Sequence, residues 1–378
     1  MQHQNSVFHS VLKLIPWGVF DRLVAEHAAD HRVRHLTTKA QLVALLYGQL
    51  CGAVSLREIE IGLSSHRGRL YHLGGRTVSR STLADANAKR PVEVFSGLFS
   101  ALVQQANRGL RRAIGETVHL IDSTGLKLSA EWARFSTDCC GVKLHVVYNP
   151  DDDQPIYAAV TTANVNDITP AKVMPVVAGA TYVFDLGYTD YGWWAALDQA
   201  GCRIVSRLKR NAPLAIVAER PVAADGAILS DRIGHLNRRI GGGKPNPYTA
   251  PVREVRVRID TGKVLRLVTN DLDAPADEIA ALYKRRWQIE LFFRWVKQTL
   301  KIKHFLGTSE NAVRIQIMAA LIAYILLRMA QATQTAIASP LAFARIVRVN
   351  LMHRRPVHAL LAPPRPPSAT PQLALQLA

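Results

Sequence analysis

The chain has 378 residues, and its 47 Lys and Arg residues exceed its 29 Asp and Glu residues by a formal net charge of +18. Hydrophobic residues make up 48% of it, which is typical of a folded interior and excludes a disordered or fibrous chain. At this length we expect two or three domains, or one domain with a large insertion. So large a positive charge indicates a polyanionic partner such as nucleic acid, because each neutralised phosphate releases counterions. The alternative is a basic protein that its charge keeps soluble.

The cysteines and the apolar segments indicate a cytoplasmic protein. Cys139 and Cys140 are adjacent and no Cys-x-x-Cys occurs, so the four cysteines are interpreted as reduced thiols. Residues 1–30 mix charged and apolar side chains and do not resemble a signal peptide. The longest apolar run, Ile317 to Leu327, is shorter than the roughly 20 residues that cross a bilayer. It therefore predicts a buried helix, and we expect no membrane partner.

The first 112 residues predict a helical N-terminal domain. Apolar residues recur there at helical spacing. The pair Gly74-Gly75 interrupts this pattern, and Ser79 then begins a short helix that ends at Pro91 and carries several basic residues. A helix, a turn and a short basic helix are compatible with a DNA-binding module. A plain helical bundle with a basic surface remains the other interpretation.

From Thr117 onward the pattern changes from helical to extended, and strands then alternate with helices. This alternation predicts an α/β core over residues 113–336. Turn-forming residues between the second and third strands favour an antiparallel meander. The predicted strands are residues 118–122, 143–148, 156–162, 181–185 and 202–208, and the predicted helices are 169–179 and 190–199.

A second change of character marks residues 211–271 as a β-rich insertion within this core. A glycine-rich loop at residues 241–245 precedes two predicted strands, 252–259 and 263–269. After the insertion the sequence predicts three helices, at residues 276–303, 308–336 and 339–347. Residues 337–378 are interpreted as the last helix followed by a loose, Pro-rich tail.

One stripe of the helix over residues 276–303 combines a single acid with several bases. At about 100° per residue, six polar side chains fall on one narrow face of an otherwise apolar helix. Helical i,i+4 ion pairs alone would not explain a lone acid among four cations. An acid that binds a divalent metal beside bases that bind phosphate would explain it. The six residues are Tyr283, Arg286, Glu290, Arg294, Lys297 and Lys301.

Two further acids, Asp122 and Asp185, each end a predicted strand. If these strands are parallel and central, both carboxylates lie at one edge of the sheet. Each Asp alone is ordinary turn chemistry, but together with Glu290 the trio offers hard oxygen ligands of the kind that Mg²⁺ prefers. Two such ions can activate a water and stabilise the leaving oxygen of a phosphodiester.

On these residues the sequence resembles the DDE transposases of bacterial insertion sequences, specifically the IS-four group. The group's signature, Y-x2-R-x3-E-x6-K, matches Tyr283, Arg286, Glu290 and Lys297 at every spacing. The segments His119–Thr124 and Val183–Tyr188 around the two aspartates carry the rest of the resemblance, which spans at least residues 117–330.

The resemblance implies an RNase H-like catalytic core, a mixed five-stranded sheet flanked by helices, with the β-rich insertion between Asp185 and Glu290. It implies that Asp122, Asp185 and Glu290 bind two Mg²⁺ ions, for which Mn²⁺ can substitute, and that Tyr283, Arg286 and Lys297 contact DNA. We also expect the other bases of the stripe, Arg294 and Lys301, to bind DNA.

The implied function is a transposase that nicks the ends of its insertion sequence and joins the 3′ ends to target DNA, by a cut-and-paste route. The implied partners are the double-stranded inverted-repeat ends, the target DNA and a second copy of the chain. No nucleotide cofactor is expected, and the expected location is the bacterial cytoplasm, with the nucleoid. The alternatives are a non-catalytic DNA-binding protein derived from a transposase, a nuclease that cuts branched DNA, and a purely structural basic protein.

One feature departs from the family pattern. Relatives use a tryptophan in the insertion to stack on a flipped base, but residues 211–271 contain Tyr248 as their only aromatic residue. Trp193 and Trp194 are the other candidates, and core packing is the preferred interpretation for both.

Further basic and acidic residues are weaker candidates. Lys143 and His145 lie on the second predicted strand, near Asp122 if the meander is correct. Asp167 is interpreted as the cap of the helix that follows it, and support of the site is the alternative. Four bases on and after the last core strand either line a DNA groove or belong to the plain surface: Arg203, Arg207, Lys209 and Arg210.

Overall fold

A computed structural model of the chain describes residues 6–107, 117–127, 141–240, 243–299, 306–307 and 309–354. Ser and Thr side chains begin several of the N-terminal helices by accepting a backbone N–H of the first turn, as Ser55 and Ser79 do. The helices before the first strand are α1 (Val7–Leu12), α2 (Trp17–Glu26), α3 (Thr38–Cys51), α4 (Leu56–Ser65), α5 (Arg67–Leu70), α6 (Arg80–Lys89) and α7 (Val92–Asn107).

The strands form one mixed, nine-stranded sheet among the described residues. Their order across the sheet is β3-β2-β1-β4-β5-β9-β8-β7-β6. Strand β4 pairs in parallel with β1 and β5, and all other neighbours pair antiparallel. The strands are β1 (Val118–Lys127), β2 (Gly141–Asn149), β3 (Gln154–Thr162), β4 (Thr181–Val183), β5 (Arg203–Arg207), β6 (Leu214–Arg220), β7 (Ile228–Leu236), β8 (Val252–Arg258) and β9 (Val264–Thr269).

The expected sheet has five strands, whereas the sheet of the described residues has nine. The first five strands of the chain lie together in the order 3-2-1-4-5, with the predicted meander formed by β1, β2 and β3. The segment predicted as a β-rich insertion supplies the other four strands. It does not form a separate layer, because β9 pairs with the free edge of β5 and thereby extends the core sheet.

The remaining helices lie on both sides of the sheet, and two of them differ from expectation. The helix predicted over residues 169–179 is a single turn, and the long helix predicted over residues 276–303 is two helices that meet at Arg286. These helices are α8 (Ile168–Ala171), α9 (Tyr191–Gln199), α10 (Ala276–Arg285), α11 (Trp287–Thr299), α12 (Glu310–Ala332) and α13 (Pro340–Asn350).

Helix α12 is the centre of the larger core. It packs against α3, α6, α7, α13 and β3, so the N-terminal helices and one face of the sheet share a single apolar core. A second core on the opposite face contains the aromatic residues Phe184, Trp193 and Trp194. The predicted apolar run Ile317 to Leu327 lies inside α12 and is buried, as expected.

Among the described residues, α12 is long and apolar enough to cross a membrane, and the bent pair α3–α4 would pass as one further span. Of the most apolar window of α12, 83% is buried inside the protein. Burial of this kind is what the core helix of a globular protein shows.

Candidate active site

The sheet places Asp122 and Asp185 side by side. In the parallel pair β1–β4, Leu120 lies opposite Val183, so two residues further along Asp122 and Asp185 reach the same level. Strand β1 continues past Asp122 to Lys127, whereas β4 ends before Asp185 and a short 3-10 turn, Leu186–Tyr188, follows it. The register therefore brings the two acids to one level of the sheet, but the prediction that Asp122 ends its strand is wrong, because β1 continues for five more residues.

The break between α10 and α11 gives the helix side of the site its shape. At this break the N–H of Arg286 donates to the carbonyl of Tyr283, and the N–H of Ile289 donates to the carbonyl of Arg286. These are tighter turns than those of an α-helix. Helix α10 packs on β5, β8 and β9, whereas α11 packs on β1. The predicted polar stripe is thus divided between two helices that contact different parts of the sheet.

Arg286 joins the acid on the helix to an acid on the sheet. One nitrogen of its guanidinium donates to Asp122 Oδ2 at 3.1 Å, and another donates to Glu290 Oε1 at 2.5 Å. The side chains of Arg286 and Asp122 are each 17% exposed, and that of Glu290 is 33% exposed. Arg286 thus shares its charge between the two carboxylates, of which Glu290 is the more exposed to solvent.

Burial dominates the electrostatics of Asp122. Removal from water raises the pKa of its carboxyl to about 6, and the nearby charges of Asp185 and Glu290 act in the same direction. The Ser123 N–H, which donates to Asp122 Oδ1 at 2.8 Å, and the Arg286 guanidinium oppose this rise in pKa. Burial is thus the main cause of the raised pKa, and the carboxylates of Asp185 and Glu290 add a repulsion that a further cation would relieve.

Asp185 lies among both acidic and basic groups. Its Oδ1 accepts the N–H of Gly187 at 2.8 Å. Burial raises the pKa of the Tyr283 phenol. The charges of Arg286 and Arg207 lower this pKa, and the charge of Asp185 raises it further. Arg207 is level with Asp185, because Val183 pairs with Val205 two residues earlier on β4 and β5. The signature tyrosine thus lies beside one catalytic candidate and two arginines.

A cleft of about 390 Å³ opens beside Asp122 and Glu290. Arg294 and Lys297 line its α11 wall, and the Lys297 ammonium donates to the hydroxyl of Thr124 on β1. The cleft therefore presents two predicted DNA-binding bases next to two predicted catalytic acids. Lys301, the remaining base of the predicted stripe, lies outside the described residues.

The donor chemistry of the site suits a hard divalent cation, but the described side chains do not form a ready-made cage. Three carboxylates supply only oxygen ligands, and the charges of Asp185 and Glu290 disfavour the charged form of Asp122, an effect that a bound cation would offset. Among the described residues, no three His, Cys, Asp or Glu side chains lie close enough together to hold an ion as they stand. Arg286 bridges two of the three carboxylates instead.

None of the aromatic residues considered for base stacking is accessible. Tyr248 is 3% exposed, Trp193 5% and Trp194 1%, so the core-packing interpretation of the two tryptophans is correct. Sequence reasoning missed Trp287, which is 52% exposed at the start of α11. A tryptophan at the junction of the signature was visible in the sequence, but the apolar pattern around it indicated a buried helix face.

The four bases on and after the last core strand have different surroundings. Arg203 pairs with Asp271 at 2.8 Å and with Glu278 at 2.7 Å, so it ties β5 to the start of α10. Arg207 lies near the site, and Lys209 and Arg210 are exposed beyond the strand.

Family models match two parts of this chain. The family described as Transposase DDE domain matches residues 114–326, and a domain of unknown function matches residues 3–76. The chain is 42% identical to y4zB of Sinorhizobium fredii, named as a transposase, over 75% of this chain and 80% of that protein. It is 31% identical to a protein of Geobacillus stearothermophilus named as the transposase of insertion sequence element IS5377, over 66% of each chain.

A protein of Synechocystis named as the transposase of element IS4SA is 27% identical over 68% of this chain and 73% of its own length. Among solved structures, the piggyBac transposase synaptic complex with hairpin DNA aligns with 96% of this chain and 84% of its own, at 12% identity and a TM-score of 0.47. The family match covers more than half of the sequence. The chain belongs to the DDE transposases of bacterial insertion sequences.

Proposed function

We propose that this transposase is a metal-dependent enzyme with an RNase H-like core that nicks the ends of its own insertion sequence. It then joins the freed 3′ ends to target DNA, by a cut-and-paste route. The observation that supports this proposal best is the site itself. Asp122 on β1 is level with Asp185, which lies just after β4, Arg286 connects Asp122 with Glu290, and a cleft lined by two bases opens beside Asp122 and Glu290.

The three carboxylates are the proposed ligands of two Mg²⁺ ions. Such ions, when bound, lower the pKa of an attacking water and stabilise the leaving oxygen of the phosphodiester. The chain itself fixes Asp122 and Asp185 through the register of β1 and β4 and places Glu290 at the start of α11. Arg286 balances the charge of Asp122 and Glu290 until other cations are present.

The basic residues around the acids are proposed to hold the DNA backbone. Arg294 and Lys297 line the cleft, and Tyr283 and Arg207 lie on the Asp185 side. A DNA phosphate bound between these two groups of side chains would lie next to the three acids. Lys301 continues the same series in the sequence and is proposed to extend the contact along the strand.

Trp287 is proposed to supply the exposed aromatic ring that the insertion lacks. It follows Arg286 directly and lies one turn before Leu291, which is also exposed. An indole at this place can stack on a base displaced from the duplex, a contact worth about 1–3 kcal/mol per base.

The helical domain over residues 1–112 is proposed to bind the inverted-repeat ends, and a second copy of the chain to bind the paired end. Helix α6 begins at an exposed Arg80, and its neighbour α4 carries Arg57 across a shallow cleft. A short helix with a basic N-terminal turn suits contact with the DNA backbone or a groove.

The test is a nicking assay on a duplex taken from the end of the element, with Mg²⁺. We expect Asp122→Ala to abolish nicking while the affinity for the duplex stays within a factor of a few. Glu310→Gln is the matched control, because Glu310 is an exposed acid on α12 that pairs with Arg314. It should leave both nicking and binding unchanged.

Two outcomes would contradict the proposal. Duplex binding without cleavage by the unaltered chain, in Mg²⁺ and in Mn²⁺, would indicate a non-catalytic DNA-binding protein. Cleavage of branched DNA with no preference for the element's ends would indicate a nuclease.

A further inference from the structure

Asp167 directly precedes helix α8, where an aspartate usually caps the helix, but its side chain makes no such cap. Its Oδ1 instead accepts the Ser123 hydroxyl at 2.8 Å and the Lys143 ammonium at 3.1 Å. Both partners lie on the neighbouring strands β1 and β2. The carboxylate is therefore directed toward the sheet edge that carries the site.

Asp167 contacts the residue that follows Asp122 and lies near the turn that holds Asp185. Ser123 follows Asp122 and donates its N–H to that carboxylate at 2.8 Å, while its hydroxyl donates to Asp167. On the other side, Gly187 donates its N–H to Asp185 at 2.8 Å. A Cβ added at Gly187 would lie 3.1 Å from Asp185 Oδ1 and 3.5 Å from Asp167 Oδ2. The first distance is tight and the second is ordinary van der Waals contact, so the two carboxylates lie near the same point of the turn that follows β4.

The charge of Asp167 is balanced locally and adds little to the repulsion within the site. Lys143 provides the balancing cation and is itself anchored to the carbonyl of Val165 at 2.9 Å. His145 lies 3.8 Å from the same carboxylate oxygen, but burial lowers the pKa of its ring to about 4, so it is neutral at neutral pH. The Asp167–Lys143 pair is therefore close to neutral overall.

We infer that Asp167 is a positioning residue for cleavage: by holding Ser123 from the side on which Gly187 and Asp185 lie, it fixes the placement of Asp122 relative to Asp185. The inference rests on the proposed function, since it assumes that these two aspartates bind the metal ions. It assigns no metal ligand role to Asp167 itself. Groups that orient metal ligands from behind typically affect metal affinity or activity about 10–100-fold when they are removed.

The first experiment compares Asp167→Ala with Asp167→Asn. We measure the Mg²⁺ concentration for half-maximal nicking, and independently the binding of Ca²⁺ to the DNA-free protein by calorimetry. Asp167→Ala should weaken both metal dependences about 10–100-fold, with duplex affinity unchanged. Asp167→Asn keeps an oxygen that accepts from Ser123, so it should recover most of the loss.

A second variant keeps the inference testable if Asp167→Ala folds poorly. Ser123→Ala deletes only the hydroxyl and should shift the Mg²⁺ dependence in the same direction. The double variant of Ser123→Ala and Asp167→Ala should be no worse than Asp167→Ala alone, because the two substitutions remove the same hydrogen bond between Ser123 and Asp167. Asp190→Asn is the matched control, since Asp190 has the same exposure as Asp167 and its own lysine partner, Lys172. It should leave the metal dependence unchanged.

The results separate this inference from the proposed function. If the unaltered chain nicks and Asp122→Ala does not, but Asp167→Ala has the unaltered Mg²⁺ and Ca²⁺ dependence, only the positioning role is wrong. If Asp167→Asn is as defective as Asp167→Ala, the positioning role is also wrong, because charge and not the hydrogen bond would then matter. If the unaltered chain itself does not nick, the proposed function fails first.

Discussion

The strand side and the helix side of the candidate site differ in how firmly they hold their acids. Asp122 and Asp185 are placed by the backbone ladder of β1 and β4 and receive backbone N–H donors from Ser123 and Gly187. Glu290 lies in the first turn of α11, just after a break in the helix, and Arg286 is the partner that the structure records for its carboxylate. The comparison indicates a site with two fixed acids and one acid that can adjust.

The largest effect is expected when the side chain of an acid is lengthened or shortened by one methylene group. We expect Asp185→Glu to lower the nicking rate by about 10²-fold or more, because a misplacement of about 1 Å at a fixed position is that costly. Glu290→Asp should lower the rate by only about tenfold, since α11 can compensate for part of the change. The measurement is single-turnover nicking at saturating duplex and Mg²⁺. Equal losses in the two variants would contradict the comparison.

The strand side was predictable from the sequence for a physical reason. Two acids at one level of two buried strands converge when the strands are parallel neighbours, as β1 and β4 are, even though β1 continues past Asp122. The signature spacing from Tyr283 to Lys297 likewise identified residues that the structure brings to the site. Local pattern and residue type were sufficient in both cases.

The helix side and the sheet extension were not predictable, because they depend on long-range contacts. A continuous helical pattern gave no sign that α10 and α11 follow different strands and break at Arg286. The pairing of β9 with β5 joins segments some 60 residues apart. It extends the expected five-stranded sheet to nine strands. Asp167 carries the local signal of a helix cap, and only the tertiary structure redirects it to Ser123.

The stability of the strand side should depend on pH through His119, a buried residue of β1. Its ring packs edge-on against Tyr182 at 5.1 Å, and burial lowers its pKa to about 4. Between pH 6.5 and 4 the unfolded chain binds a proton that the folded chain does not, so stability falls as the pH falls. The shift corresponds to at most about 3 kcal/mol for this residue.

His119→Phe keeps an aromatic ring against Tyr182 and removes the titration. We therefore expect the difference in unfolding free energy between His119→Phe and the unaltered chain to grow in favour of the variant from pH 6.5 to pH 4. Denaturant unfolding at several pH values measures it. A difference that is constant with pH would show that His119 does not titrate as described.

Arg286 links the strand side to the helix side, and its substitution tests how much this link contributes to the stability of the protein. Arg286→Ala leaves Asp122 and Glu290 close together without their shared counter-charge, which should cost about 1–3 kcal/mol at this partial burial. Arg286→Lys should recover less than half of the loss, because one ammonium cannot reproduce two forked donors. Thermal unfolding without metal measures both variants. Added Mg²⁺ should stabilise Arg286→Ala more than the unaltered chain, and the reverse order would contradict the proposed shared site.

The smallest expected effect concerns the outer part of the helix side, where Lys297 faces the cleft. If Lys297 neutralises a phosphate, Lys297→Ala should reduce the slope of log affinity against log salt by about one. The measurement is fluorescence anisotropy with a short duplex of arbitrary sequence across several salt concentrations, because a phosphate contact needs no particular sequence. Arg314→Ala is the control: Arg314 is a base on α12 that pairs with Glu310, and its removal should leave the slope unchanged. An unchanged slope in Lys297→Ala would restrict Lys297 to holding Thr124, and the helix side would then contribute its acid but not this cation to DNA binding.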